Sequence, residues 1–238
     1  TRDHTENMLK SFGADINIEK NNNQTSIYIK GKQELKSNNI SVPSDLSSSA
    51  FFIIAALINK GSKIHLNNIN VNPSRDGVLK ALKKMGAKIN IKNQRTVSGE
   101  IIADLDVENS NLIGCELDAE MAKFMIDEYP ILSIAAAFAK GTSIFRGLKE
   151  LKVKESDRLE LIRLNLVNCG CDCQVINDDL IIKPSETYIP KNNIIRTDFD
   201  HRIAMSFAVM GTRVNNLVIK DAESINTSFP NFIEKFNN

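Results

Sequence analysis

The sequence predicts an α+β protein built by repetition, and three observations carry that prediction. An amphipathic helix, a glycine and a strand recur in that order at three places along the chain. A second kind of helix, Ala-rich and mostly apolar, is also followed by glycine and a strand, and it too recurs three times. The two half-units alternate, so a full unit of roughly 70–85 residues holds two helices and several strands.

The elements follow in order. The chain opens inside an amphipathic helix that runs through Met8, Leu9 and Phe12 to Gly13, with Ala14–Ile18 as its strand. Asn21-Asn22-Asn23-Gln24 reads as a hairpin turn and Ser37-Asn38-Asn39 as a turn before a crossover. The apolar helix Ser48–Lys60 ends at Gly61, and the amphipathic helix Leu79–Met85 ends at Gly86 before the strand Ala87–Ile91. Tyr129–Lys140 repeats the apolar type with Gly141, and Thr142–Arg146 follows as a strand. Leu164–Cys169, Gly170 and Cys171–Ile176 form a weaker amphipathic copy, and His201–Met210 with Gly211 is the third apolar one. Glycine after the last helical residue suits a left-handed C-cap, and helices apolar on most faces must be buried. Pro230–Asn238 starts a further amphipathic helix, so both ends are out of phase with the repeat and the expectation is part of a larger protein.

Composition narrows the function classes. The chain of 238 residues is 42% hydrophobic and 25% charged, as ordinary globular proteins are. Thirty Lys and Arg against 29 Asp and Glu leave a net charge of +1, which speaks against a general nucleic-acid surface while allowing a local anion site. No apolar run is long enough for a membrane span, and Thr-Arg-Asp-His-Thr-Glu lacks the pattern of a signal peptide. Cys115, Cys169, Cys171 and Cys173 lack metal-site spacing. The last three alternate, which on a strand places them on one face and reads as reduced packing in a cytoplasmic protein.

Charged chemistry concentrates at one strand-to-helix junction. Lys152-Val153-Lys154-Glu155-Ser156-Asp157-Arg158 lies between the strand ending at Arg146 and the apolar pattern Leu159, Leu161, Ile162, Leu164. Free backbone N–H groups at a helix start favour an anion, and Lys and Arg there can hold phosphate or carboxylate. The plainer alternative is a solvated helix start with a capping carboxylate. A second such stretch, Asp200-His201-Arg202, opens another apolar helix, and Ile126-Asp127-Glu128-Tyr129-Pro130 opens a third. Asp45, Asp127 and Asp200 all stand where an N-cap is expected, worth about 1 kcal/mol each; Glu128 is an alternative cap that would release Asp127.

Together with Thr1-Arg2-Asp3-His4-Thr5-Glu6, Val42-Pro43-Ser44-Asp45-Leu46-Ser47-Ser48, Asn72-Pro73-Ser74-Arg75 and Thr227-Ser228-Phe229-Pro230, these motifs resemble the 5-enolpyruvylshikimate-3-phosphate (EPSP) synthase family, in the family's order. The resemblance implies the enolpyruvyl transferase fold of βαβαββ units, an inside-out α/β barrel-like lobe. Residues 1–41 would end the N-terminal, shikimate-phosphate-binding lobe, and residues 42–238 would form most of the C-terminal lobe, its third unit incomplete. It implies transfer of the enolpyruvyl group of phosphoenolpyruvate to the 5-hydroxyl of shikimate 3-phosphate. The enzyme would need no cofactor and no metal and would be a cytoplasmic monomer when complete, with this chain inactive without the N-terminal lobe.

The resemblance also assigns roles. Asp127 would take the hydroxyl proton and Glu155 would act as acid and base at the methylene carbon. Lys154 would bind the shikimate substrate, Arg158 and Arg202 the phosphoenolpyruvate anion, and Arg2 the shikimate phosphate. His201 is a proton carrier or a hydrogen-bonding structural partner, and Arg75 an anion contact, a cap or a surface ion pair. Thr227 stands where many members carry lysine, and Glu150 where they carry asparagine; both resemble the glyphosate-tolerant bacterial subgroup. The rivals are UDP-N-acetylglucosamine enolpyruvyl transferase, a βαβ-repeat binding module for RNA, and a non-catalytic remnant. No Trp and three Tyr leave few stacking platforms for RNA.

Overall fold

The computed structural model describes residues 2–21 and 24–237. Helix α1 (His4–Ser11) leads into an antiparallel hairpin of β1 (Ile16–Asn21) and β2 (Gln24–Ile29), closed by the Asn21↔Gln24 pair. The predicted turn residues Asn22 and Asn23 lie outside the described residues, as do Thr1 and Asn238. Residues 33–43 follow without regular structure; Ser37-Asn38-Asn39 forms no turn, and the Asn38 amide instead donates to the Ser11 carbonyl.

Two repeats follow with one topology. In the first, a bridge at Ser44 precedes α2 (Leu46–Ile58), β3 (Lys63–Asn70), α3 (Gly77–Lys84), β4 (Lys88–Val97) and β5 (Glu100–Glu108). Ser44 pairs parallel with β3, and the sheet order continues β3-β5-β4. In the second, β6 (Glu116–Leu117) and the short α4 (Ala122–Met125) precede α5 (Tyr129–Ala137), β7 (Ser143–Phe145), α6 (Arg158–Asn168), β8 (Asp172–Ile176) and β9 (Asp179–Lys183). Its sheet runs β6-β7-β9-β8, with β6 parallel to β7 and the hairpin antiparallel. Crossover helices between parallel neighbours and a closing hairpin are what βαβαββ means in hydrogen bonds. A third set repeats the opening: β10 (Ile194–Ile195), α7 (His201–Met210), β11 (Val218–Ile219) parallel to β10, then α8 (Phe232–Asn237).

The glycine signal has a definite structural cause. After α1, α3 and α6 the chain turns through Gly13, Gly86 and Gly170 at φ between +79° and +91°. In each, the glycine N–H bonds back to Lys10, Lys83 or Val167, and the next N–H to Leu9, Leu82 or Leu166, at 2.9–3.0 Å. That double closure is a Schellman cap, and its left-handed residue favours glycine. Gly61 and Gly141 are also left-handed, but Gly211 is right-handed, and β11 begins only seven residues later.

The apolar helices α2, α5 and α7 pack on one another at the centre, with sheets outside them: α2 lies against β3 and β5, and α5 against β9. Their burial follows from apolar residues on nearly all faces. Phe51, Ile54, Leu57, Leu132, Ile134, Phe207 and Val209 are all at most 1% exposed. The cysteine expectation needs correction. Cys169 follows the last residue of α6 and Cys171 lies just before β8, so only Cys173 is on a strand. All are free and buried, and burial raises the thiol pKa of Cys169 to about 12 and of Cys171 to about 11.

Candidate active site

Three helix starts meet at one place. Asp45 caps α2 by accepting from the backbone N–H of Ser47 at 3.2 Å and Ser48 at 2.9 Å. Asp200 caps α7 through the N–H groups of Arg202 at 2.9 Å and Ile203 at 3.3 Å. The start of α5 is different. A 3₁₀ turn, Ile126–Glu128, puts Asp127 outside the cap position, and Pro130 enters in the first helical turn, where no N–H is needed. Neither side chain caps α5: Asp127 is free of capping, and Glu128 stands at the cap position without making the capping bond offered for it as an alternative. Glu128 turns inward instead, 2% exposed, and accepts a hydrogen bond from the Ser47 hydroxyl.

The junction after β7 brings further cations. A 3₁₀ turn, Lys149–Val153, and a bend lead to α6, which Asp157 caps through the Glu160 N–H at 3.0 Å. Lys154 Nζ reaches Asp127 Oδ1 at 3.3 Å and Glu150 at 2.7 Å. Arg158, first residue of α6, has a side chain only 1% exposed. Its Nε donates to Asp200 at 2.8 Å, its Nη1 to Asp127 at 3.3 Å, and its Nη2 meets Glu155 as an ion pair. Arg2 arrives from the chain start and donates to Asp127 Oδ2 at 3.3 Å. Arg202 Nη1 donates to the Asp127 carbonyl and to Ser47 Oγ, both at 2.9 Å.

Asp127 thus stands among Arg2, Lys154 and Arg158, with Arg202 on its carbonyl. Burial opposes its charge, but Arg202, Lys154 and Arg158 outweigh burial and hold its carboxyl below the usual range. Asp200 is likewise net lowered, burial being overcome by Arg158 and Ser156. Glu128 goes the other way, because burial exceeds the help of Ser47, Arg202 and Arg75. Lys154 stays firmly protonated: burial works against it, and Glu150 and Asp127 more than compensate. Burial, helped by Arg202 and Arg158 and opposed by Asp200, lowers the pKa of His201, so the ring is predominantly neutral at pH 7. Glu155 is half exposed at the rim.

The structure therefore gathers Arg2, Asp127, Lys154, Glu155, Arg158, His201 and Arg202 around the N-termini of four helices, α2, α5, α6 and α7, whose dipoles favour anions. A cavity of about 670 Å³ between α1, the β1–β2 hairpin and the Asn72-Pro73-Ser74 loop adjoins the cluster through Arg2. Sequence reasoning did not join Ser47 and Glu128 to the site, and offered an anion contact for Arg75 as one of three alternatives. Arg75 lies 3.7 Å from Glu128, and with side chains 19% and 3% exposed the pair is an interior one rather than a surface ion pair. Ser47 and Arg75 fall inside motifs that carried the resemblance, which was their only local signal. Of the two departures, Glu150 is the ion-pair partner of Lys154, and the Thr227 hydroxyl donates to the Ser224 carbonyl at 2.7 Å. Among the described residues no group of three or more His, Cys, Asp or Glu side chains is arranged to hold a metal. No described helix is long and apolar enough to cross a membrane.

Repeated βαβαββ units around buried helices, with cations and carboxylates clustered at the helix starts, are the fold of the enolpyruvyl transferase class. The enolpyruvyl transferase NikO from Streptomyces tendae shares this fold with a TM-score of 0.61 at 17% identity, over 95% of this chain and 50% of that one. Residues 1–236 match the model of the family EPSP synthase (3-phosphoshikimate 1-carboxyvinyltransferase), and the chain belongs to that family. A 3-phosphoshikimate 1-carboxyvinyltransferase from Paramagnetospirillum magneticum is 46% identical over 100% of this chain and 54% of the relative. The EPSP synthase structure from Acinetobacter baumannii superposes with a TM-score of 0.92 at 40% identity, again over 100% and 54%. The chain spans about half the length of the curated relatives it matches.

Proposed function

We propose that this chain supplies the C-terminal half of a 3-phosphoshikimate 1-carboxyvinyltransferase, joining the enolpyruvyl group of phosphoenolpyruvate to the 5-hydroxyl of shikimate 3-phosphate. In this reading residues 1–41 close the N-terminal lobe and residues 42–238 form most of the C-terminal one, in a cytoplasmic enzyme. The observation that carries it is Asp127: a carboxylate free of capping, 3.3 Å from each of Arg2, Lys154 and Arg158. The chemistry needs that combination. Two polyanions must touch, and two like unit charges 4 Å apart repel by about 4 kcal/mol at an effective dielectric of 20, so fixed cations must offset them.

Asp127 takes the proton of the 5-hydroxyl, whose oxygen bonds to C2 of phosphoenolpyruvate while Glu155 protonates the methylene carbon. The tetrahedral intermediate then expels phosphate, which leaves with the proton that Asp127 had taken, and the methyl group returns a proton to Glu155 as the enol ether forms. Lys154 and Arg2 hold the shikimate substrate, and Arg202 and Arg158 hold the phosphoenolpyruvate anion. Asp200 keeps Arg158 in place from behind. The test is phosphate release by this chain joined to the N-terminal lobe of a relative. Release should require both substrates and should be absent with the chain alone. Release with UDP-N-acetylglucosamine replacing shikimate 3-phosphate, or turnover by the chain alone, would sink this reading.

A further inference from the structure

We propose that Glu128 is the positioning residue for Arg202: with Ser47, and with Arg75 as a second cation on the same carboxylate, it fixes the guanidinium that receives the phosphoenolpyruvate anion. The inference rests on the function proposed above.

Burial comes first. The Glu128 side chain is 3% exposed, and a buried carboxylate without partners is costly. Its partners come from three separate elements: Ser47 in α2, Arg75 ahead of α3, and Arg202 in α7, with Asp127 its acidic neighbour in the turn. The hydroxyl of Ser47 has a single hydrogen. It donates that hydrogen to the Glu128 carboxylate and accepts Arg202 Nη1 at 2.9 Å, so one hydroxyl links the two. Arg75 and Arg202 both lie 3.7 Å from Glu128 Oε1, too far for hydrogen bonds but close enough to share one counter-charge.

The consequence for Arg202 is an asymmetry. Nη1 has two hydrogens, and Ser47 Oγ and the Asp127 carbonyl take both. Among the described residues the Nε and Nη2 edge is not engaged by a side chain or carbonyl, and these parallel N–H groups are the fork that binds phosphate or carboxylate bidentately. One edge of the guanidinium is anchored to the core and the other is presented. Without the Glu128 charge, Arg75 and Arg202 would face each other unscreened, and the presented edge would lose its fixed direction.

The test uses the completed enzyme and compares the parent with Glu128→Gln, Ser47→Ala and Arg202→Lys by steady-state kinetics beside thermal melting. Glu128→Gln keeps size and a hydrogen-bonding group but removes the charge. It should raise the phosphoenolpyruvate KM about 10-fold, with kcat and the shikimate 3-phosphate KM changing by less than about 3-fold, the pattern of lost uniform binding. Ser47→Ala should move the same constant in the same direction by less, and it carries the test if Glu128→Gln does not fold. A phosphoenolpyruvate KM that is unchanged or lowered, or both KM values rising together, overturns the inference. If Arg202→Lys raises the phosphoenolpyruvate KM while Glu128→Gln and Ser47→Ala leave it flat, only the inference falls. A parent enzyme with no turnover removes the inference together with the function it rests on.

Discussion

Asp127 and Asp200 precede two buried helices of the same repeat type, both have depressed pKa values, and both touch Arg158. Their surroundings differ. Asp200 is 0% exposed and fully occupied, capping α7, accepting from Ser156 and holding the Arg158 Nε. Asp127 is 19% exposed, caps nothing, and among the described residues its carboxylate meets only cations, all of them at 3.3 Å. One carboxylate is spent on the fold and the other is left for a ligand. The difference arises from a 3₁₀ turn that shifts the start of α5 past Asp127, a change of backbone rather than of residue type.

Breaking the structural half of this pair should have the largest effect on stability. Asp200→Asn keeps a good N-cap but takes the buried charge from behind the Arg158 Nε, leaving only Asp127 and the half-exposed Glu155 as its carboxylate partners, and should cost about 3 kcal/mol in urea unfolding. The pH dependence has a definite sign. Asp200 has a folded pKa below its unfolded value, so its contribution is present above the unfolded carboxylate pKa and is lost as pH falls through the folded one. The parent should therefore lose stability on acidification more steeply than Asp200→Asn. A loss below about 1 kcal/mol would mean that Asp200 is not the strut described here.

A smaller effect belongs to Asp45, whose hydrogen bonds are those of a cap to α2. Asp45→Ala should cost about 1 kcal/mol and leave the kinetics of the completed enzyme unchanged. The smallest effect lies on the outer face of the β3-β5-β4 sheet, where His65 and Lys92 both pair with Asp106. Hydrogen bonds from Lys92 and His65 lower the Asp106 pKa to about 2, and Asp106 and Asn67 raise that of His65. The exposed pair is screened, so NMR titration is the sensitive readout. The His65 contribution is complete below its unfolded pKa and disappears as pH rises through the raised folded value. Asp106→Asn should return the His65 midpoint toward the ordinary imidazole value, and an unmoved midpoint would contradict the pairing.

What was legible in the sequence was local. Glycines at 13, 86 and 170 marked Schellman caps because a left-handed residue is needed after those helices. The apolar pattern of the second helix type announced burial, and Asp45 and Asp200 announced their caps. The misses were contacts and backbone choices that no local pattern encodes. Ser47 and Arg202 are separated by 155 positions and Ser47 and Glu128 by 81, so their meeting depends on how three repeats close on one another. The Cys169, Cys171 and Cys173 alternation mimicked a strand, although the Gly170 turn falls in its middle. The 3₁₀ turn before α5 left no signature beyond Pro130, which is equally compatible with a helix starting one turn earlier.

The most direct measurement replaces Asp127 by Asn in the completed enzyme and follows kinetics and thermal melting on the same samples. Asn cannot take the hydroxyl proton, and Arg158 keeps Asp200 and Glu155 as partners. The expected result is a fall in kcat on the order of 10²-fold or more with shikimate 3-phosphate still bound, and a stability change of about 1 kcal/mol or less. A kcat that barely moves, or a loss of stability as large as that of Asp200→Asn, would contradict the division between the carboxylate that builds the fold and the one that serves the chemistry.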